Sequence, residues 1–333
     1  MILAVALDEK LRQTFFTPDQ WDRLCALAEV RVLPCPQDLP NPANAPILGE
    51  AEGLMTGWGC LRLTKEVLGL CPYLKVIIHT GGSVRSFISD EVFARGILVS
   101  SQTELNAEPV AQFCLAQILL AAKGVARATR RYAAVKSMTT FDDVWAEGVG
   151  VYGARVGLIG YGRVAHRLIE MLHGFSVRIL LNSPYVDSCQ AHEMGVELAS
   201  MEEIMSTCDV ISVHLGDTLG NHGAVSGDLL SLVKNGATFI NTARGIVVDE
   251  PGLIRELRTG RFDAVLDVTY PEVPAPDSEL WKLPNVTLTP HWAGSLGREL
   301  TRLGQGALTN VEQYLAGAPL TGQIDPDLAA YIA

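Results

Sequence analysis

The sequence lacks the devices that hold small secreted folds together. Its seven cysteines are odd in number, scattered from Cys25 to Cys208, and never form a CxxC pair. That spacing argues against a disulfide framework and offers no zinc set, so reduced thiols and no metal site are expected. Long apolar runs are missing as well: no stretch approaches the ~18 uncharged apolar residues of a membrane span. Met1–Asp8 opens without a basic flank, and its apolar run is too short for a secretory signal. A cytoplasmic protein is expected. Positive charge is also scarce, with 26 Lys+Arg against 37 Asp+Glu and a formal net charge of -11. Such a chain repels phosphate backbones and anionic lipid, which argues against nucleic acid and membrane as partners. Such a chain can still hold a small anionic ligand, because local amides and single arginines outweigh a distant net charge.

What is present is enough for two domains: 333 residues, 48% of them hydrophobic. Strand candidates at Ile2–Leu7, Val30–Leu33, Leu54–Thr56, Leu74–Ile78 and Ile97–Ser100 alternate with helix candidates. One of these helices opens at Thr17-Pro18-Asp19-Gln20, a capping box with proline at the first helical position. Pro34–Pro46 reads as a loop, and residues 109–131 as one long helix. A second alternating series starts at Arg155, with strands at Val156–Ile159, Val177–Leu181, Val210–His214, Thr238–Asn241, Ala264–Val268 and Val286–Thr289. Ser200-Met201-Glu202-Glu203 is another capping box, and Gly174 stands where a helix-ending glycine belongs. Alternation of this kind predicts two doubly wound α/β units with parallel sheets. A last helical segment, Leu296–Leu315, is free to return to the first unit.

The sharpest motif is Gly160-Tyr161-Gly162-Arg163-Val164-Ala165, which fits GxGxxG/A. It follows an apolar strand and opens a helix, the context that a dinucleotide fingerprint requires. Gly160 permits the tight turn, Gly162 lets the backbone approach a pyrophosphate, and Ala165 lets helix and strand pack closely. The helix N-terminus supplies free N–H groups for the phosphates. The fingerprint's second half, an acid at the end of the next strand, is absent: Ser183 stands there, and Asp187 comes too late. No arginine adjoins the strand end to welcome a 2′-phosphate. NAD or NADP is therefore expected, with NAD slightly preferred.

Three later segments each begin in an apolar strand and end in a polar residue: Ile240–Gly245, Leu266–Glu272 and Leu288–Gly294. Ligands bind at the carboxyl ends of strands in such sheets, so Arg244, Glu272 and His291 are expected to converge beside the dinucleotide. Reducing a keto acid needs a proton donor at the carbonyl oxygen, a cation for the carboxylate, and a group that tunes the donor. Histidine, arginine and glutamate suit those roles.

Taken together, the glycine motif, Asn241–Gly245 with Val248-Asp249-Glu250, Asp267–Glu272, and Leu283-Pro284-Asn285-Val286 leading to Pro290-His291 closely resemble the D-isomer-specific 2-hydroxyacid dehydrogenase family. Asn106–Ala111 and Leu74–Ile78 also fit, so the resemblance covers nearly the whole chain. It implies a Rossmann dinucleotide-binding domain over 103–296 and a smaller flavodoxin-like domain split between 1–102 and 297–333. It implies His291 as acid/base, Glu272 as its partner, and Arg244 on the substrate carboxylate and carbonyl. Backbone N–H groups near Gly82 and Ser83 would hold the carboxylate, and His214, Thr242, Ala243 and Asp267 would line the cofactor. A homodimer is also implied. Trp58 and Trp292 are candidate walls of the substrate pocket, which would favour an apolar or aromatic side group.

Several residues depart from the pattern: Ser183, Gln112, Gly216, Val273 and the turn Gly81–Arg85. They put cofactor preference and substrate shape in doubt and leave the trio intact. Two rivals share the architecture. One is a dinucleotide-sensing, corepressor-like binding protein, and the other is a phosphite- or formate-type dehydrogenase. With the chain ending soon after Pro319, no appended regulatory domain is expected.

Overall fold

The computed structural model describes residues 1–137 and 149–326. The chain divides into two units, Met1–Asn106 with the chain from Ser295 onward, and Ala107–Gly294. The first unit holds a five-stranded sheet of β1 (Ile2–Ala6), β2 (Glu29–Val32), β3 (Gly53–Thr56), β4 (Val76–His79) and β5 (Leu98–Ser100). The spatial order is β2-β1-β3-β4-β5 and every pairing is parallel. This is the flavodoxin-like order, with its switch point between β1 and β3. Strands β3 and β4 are buried along their whole length, which is why they read as continuous apolar runs rather than alternating ones.

The second unit holds seven strands: β6 (Arg155–Ile159), β7 (Arg178–Asn182), β8 (Glu197–Leu198), β9 (Val210–Val213), β10 (Thr238–Asn241), β11 (Asp263–Leu266) and β12 (Val286–Leu288). Their order, β12-β11-β10-β9-β6-β7-β8, is again parallel throughout and is that of a Rossmann sheet extended by one strand. Its switch point lies between β6 and β9.

Local chemistry explains most element ends. Thr17 caps the helix Pro18–Leu27, with Gln20 closing the reciprocal half of the capping box. Ser200 caps the helix Met201–Thr207 by accepting from the Glu203 N–H at 3.1 Å, but Glu203 does not return the bond. The stretch expected as one helix over 109–131 is two, Thr103–Ala122 and Val125–Val135. Gly124 separates them at φ 64°, a left-handed residue that no helix interior accepts. Pro109 lies inside the first helix rather than at its start. Gly174 follows the helix Arg163–Leu172 without turning left-handed. The loop expected at Pro34–Pro46 holds a short 3-10 turn, Pro42–Asn44. The last segment starts as a 3-10 turn, Gly297–Glu299, before the helix Leu300–Leu315.

The helix Thr103–Ala122 corrects one expectation. By length and composition it is long and apolar enough to cross a membrane, although the helix of a protein core passes the same test. The unit borders fall a few residues from the expected ones for a visible reason. Thr103 Oγ1 donates to the Gly82 carbonyl at 3.1 Å, and the Ser295 N–H donates to Asn106 Oδ1 at 2.9 Å, so both ends are tied into the first unit.

Candidate active site

The second unit's switch point presents a cradle. Gly160 ends β6 at φ 96°, and a Cβ there would stand 2.8 Å from the carbonyl of His214. Only glycine lets β6 turn this tightly beside the chain leaving β9. Gly162 begins the helix Arg163–Leu172 with no side chain capping it, and a Cβ on Gly162 would meet nothing within 4 Å. The first-turn N–H groups therefore face open space, with Ala165 fully buried beneath them. A pyrophosphate fits these residues. The Gly160 N–H donates to the Asn182 carbonyl at 2.8 Å, which joins the cradle to the end of β7 and so to Ser183. The Ser183 hydroxyl accepts from the Tyr185 N–H at 3.2 Å. Asp187 caps the helix Ser188–Glu193 through the Gln190 N–H, so its carboxylate is occupied there.

Tyr161, which precedes the helix, shares a hydrogen bond between its hydroxyl and His166 Nδ1 at 3.0 Å. His214 follows β9. Burial pushes its imidazole down to about 4, and its Nε2 is enclosed without a partner among the described residues. It is its backbone that lies against Gly160. Thr242 is buried, its hydroxyl 3.1 Å from Cys114 Sγ.

The loop after β10 is shaped by Asn241. Its Oδ1 accepts from the Ala243 N–H and its Nδ2 donates to the Arg244 carbonyl, each at 3.0 Å. This two-sided bond presents Arg244 at the carboxyl edge. Gly245 then lies against the Thr269–Tyr270 backbone so closely that a Cβ would collide with it.

Asp267, one residue past β11, is 2% exposed and acts as a clamp. Its carboxylate accepts from Thr289 Oγ1 at 2.5 Å, from the Trp292 N–H at 2.6 Å and from the Ala293 N–H at 3.0 Å. Its carbonyl accepts from the His291 N–H at 3.0 Å. His291 thus sits in the middle of a strap pinned on both sides, at φ 55°. A left-handed conformation is unfavourable for histidine and persists where its surroundings over-determine it. From this position His291 Nδ1 meets Glu272 Oε1 at 2.5 Å. Among the described residues nothing bonds His291 Nε2. The Glu272 carboxylate has no other partner among them either.

In the first unit, β4 leads into Gly81–Arg85. Among the described residues, nothing accepts a hydrogen bond from the N–H groups of Gly82 or Ser83. A Cβ on Gly81 would stand 2.6 Å from both Trp58 Nε1 and His79 Nε2. Trp58 packs against Phe15, ring centroids 5.1 Å apart, and keeps 43% exposure. Trp292, in the second unit, is 55% exposed.

Arg244, Glu272 and His291 thus stand on loops at one carboxyl edge of the second unit's sheet, Glu272 and His291 in direct contact. Sequence reasoning gave no supporting role to Asn241, Gly245 or Thr289, although Asn241–Gly245 was among the matching stretches. The adjacent asparagine and glycine were visible signals of a shaped turn, whereas Thr289 carried none.

Fold and site together define a Rossmann-type α/β protein with a hydrogen-bonded histidine–glutamate pair on the same carboxyl edge of the sheet as its dinucleotide cradle. The sequence model of the D-isomer specific 2-hydroxyacid dehydrogenase NAD binding domain matches residues 115–293, and the chain belongs to that family. It is 31% identical over 280 residues to the D-3-phosphoglycerate dehydrogenase of Mycobacterium leprae, covering 84% of this chain and 52% of that one. It is 30% identical to the glyoxylate reductase of Korarchaeum cryptofilum, covering 79% and 78%. The chain therefore spans about half the length of the phosphoglycerate relatives and most of the glyoxylate one. Apo D-mandelate dehydrogenase of Rhodotorula graminis shares the fold, with TM-score 0.80, 21% identity and 97% of each chain covered.

Proposed function

We propose that the protein interconverts a small 2-keto acid and its D-2-hydroxy acid, using NAD(P)(H) and with His291 as acid/base. The observation that carries this reading is the 2.5 Å contact between His291 Nδ1 and Glu272 Oε1. The carboxylate fixes the ring's orientation and leaves Nε2 for the substrate oxygen. A bound dinucleotide would supply the hydride that the carbonyl carbon needs in the reducing direction. His291 gives its proton to the carbonyl oxygen as the C=O π bond becomes an O–H bond. Arg244 holds the carboxylate and polarises the carbonyl. His291 regains its proton from water; the reverse reaction uses it as a base.

Gly160–Val164 would hold the pyrophosphate, with Ser183 at the adenosine ribose and the backbones of His214, Thr242 and Ala243 along the nicotinamide side. Asp267 acts there through the strap it clamps. Lacking both an acid and an arginine at the ribose, the site takes NADH with a slight preference over NADPH. Trp292, next to His291 in the chain and 55% exposed, favours an apolar or aromatic side group. The exposed apolar residues Leu120, Tyr132 and Val135, on the helices Thr103–Ala122 and Val125–Val135, suit a homodimer contact in a cytoplasmic protein.

The test is a panel of glyoxylate, pyruvate, phenylglyoxylate and 3-phosphooxypyruvate against NADH and NADPH, followed by cofactor oxidation. Turnover of one or more supports this reading. Tight dinucleotide binding with no turnover favours a sensing protein.

A further inference from the structure

The histidine–glutamate pair rides on two loops. Asp267 pins the one that carries His291, and the one that carries Glu272 has an anchor of its own. Glu250 opens the helix Glu250–Leu257 behind its cap Asp249. Its Oε2 accepts a hydrogen bond from the Tyr270 N–H at 3.3 Å. This carboxylate is half-buried, and desolvation pushes its pKa up. Partly burying a carboxylate is unfavourable unless donors compensate. Here the compensation is the Tyr270 amide and the positive end of the helix that Glu250 begins. Gly245 presses on the same peptide unit, where a Cβ would strike the Thr269 carbonyl and the Tyr270 nitrogen. Within the turn, Thr269 Oγ1 lies 2.8 Å from the Pro271 carbonyl and 3.0 Å from the Glu272 carbonyl. The backbone of 269–272 is thus held from outside by Glu250 and Gly245 and from inside by Thr269. The Glu272 side chain has no described partner except His291, so its aim depends on that backbone.

We infer that Glu250 is a positioning residue for the acid/base pair: by accepting from the Tyr270 N–H it sets the turn that aims Glu272 at His291. The inference rests on the acid/base reading proposed above. Glu250 touches neither substrate nor dinucleotide in this scheme, so its loss acts on turnover rather than on binding.

The test is a double-mutant cycle on Glu250 and Glu272, run with NADH and the best keto acid of the panel. Glu250→Ala should lower kcat about tenfold, less than the roughly 10²–10⁴-fold that a general acid–base group contributes, because the pair is misaimed rather than removed. KM for the keto acid and Kd for NADH should stay within about twofold. Glu250→Gln keeps a carbonyl acceptor and should recover most of the loss. In a Glu272→Gln background, Glu250→Ala should cost nothing further, since coupled residues are non-additive. Amide exchange at Tyr270 in the cofactor-free protein should quicken in Glu250→Ala and not in Glu250→Gln. If Glu250→Ala does not fold, Glu250→Met, which keeps the volume and removes the acceptor, takes its place. Additive losses in the cycle, or a Gln variant as impaired as the Ala variant, overturn the inference. So does an unchanged Tyr270 exchange rate. If Glu272→Gln alone leaves kcat unchanged, the acid/base reading fails, and the inference falls with it.

Discussion

His291 shows how much at the residue scale depends on neighbours. Its candidacy was legible because it closes an apolar strand segment after Pro290, as Arg244 and Glu272 close theirs. The clamp that makes it usable was not. Asp267 takes its three donors from residues 22 to 26 positions further along the chain, and no local pattern announces such a bond. Asp267→Asn replaces one acceptor oxygen with a donor that faces an N–H or hydroxyl. Hydrogen bonds to charged groups contribute about 1.5–3 kcal/mol each, so part of the strap should detach. The expected result is a fall in kcat of at least about tenfold with NADH affinity held within a few-fold, read from steady-state kinetics and a binding titration. Ser183 offers a second test. Ser183→Asp supplies an acceptor for ribose hydroxyls and repels a 2′-phosphate. The ratio of kcat/KM for NADH over that for NADPH should rise by about tenfold or more, and an unchanged ratio would place Ser183 away from the ribose.

Among elements, the strand–turn–helix over 155–172 was the most legible, since its glycines fix both the turn and the open helix N-terminus. Gly160→Ala should weaken NADH binding by at least about tenfold in a fluorescence titration. The new Cβ would need a left-handed backbone and would press on the His214 carbonyl. Strand cores were found to within a residue or two, because parallel strands buried on both faces announce themselves as apolar runs. Helix boundaries were less legible. The break at Gly124 lies in an Ala- and Leu-rich stretch whose composition favours continuing the helix, and a single glycine is a weak signal against it. Strand β8, two residues long and exposed, gave no pattern to read.

At the scale of the whole molecule, two α/β units were expected from the repeated alternation, and their sheet orders follow. Each unit also buries one neutral histidine. Burial lowers His79 to about 3 in the first unit and His214 to about 4 in the second, from an ordinary 6.5. Below 6.5 the unfolded chain binds protons that the folded units refuse. Stability should therefore be lost as pH falls from about 6.5 toward 4, by up to ~1.4 kcal/mol per pH unit for each histidine. Urea midpoints measured between about pH 7 and pH 5 check this, and His79→Asn should flatten the slope. The most direct test of the central claim is NADH oxidation by the wild type and by His291→Ala across the keto-acid panel, with the NADH Kd measured alongside. Turnover by the wild type, its loss by at least about a hundredfold in His291→Ala, and a Kd within a few-fold are the expected results. Turnover near wild type in the variant would contradict the account, because it would remove His291 as the acid.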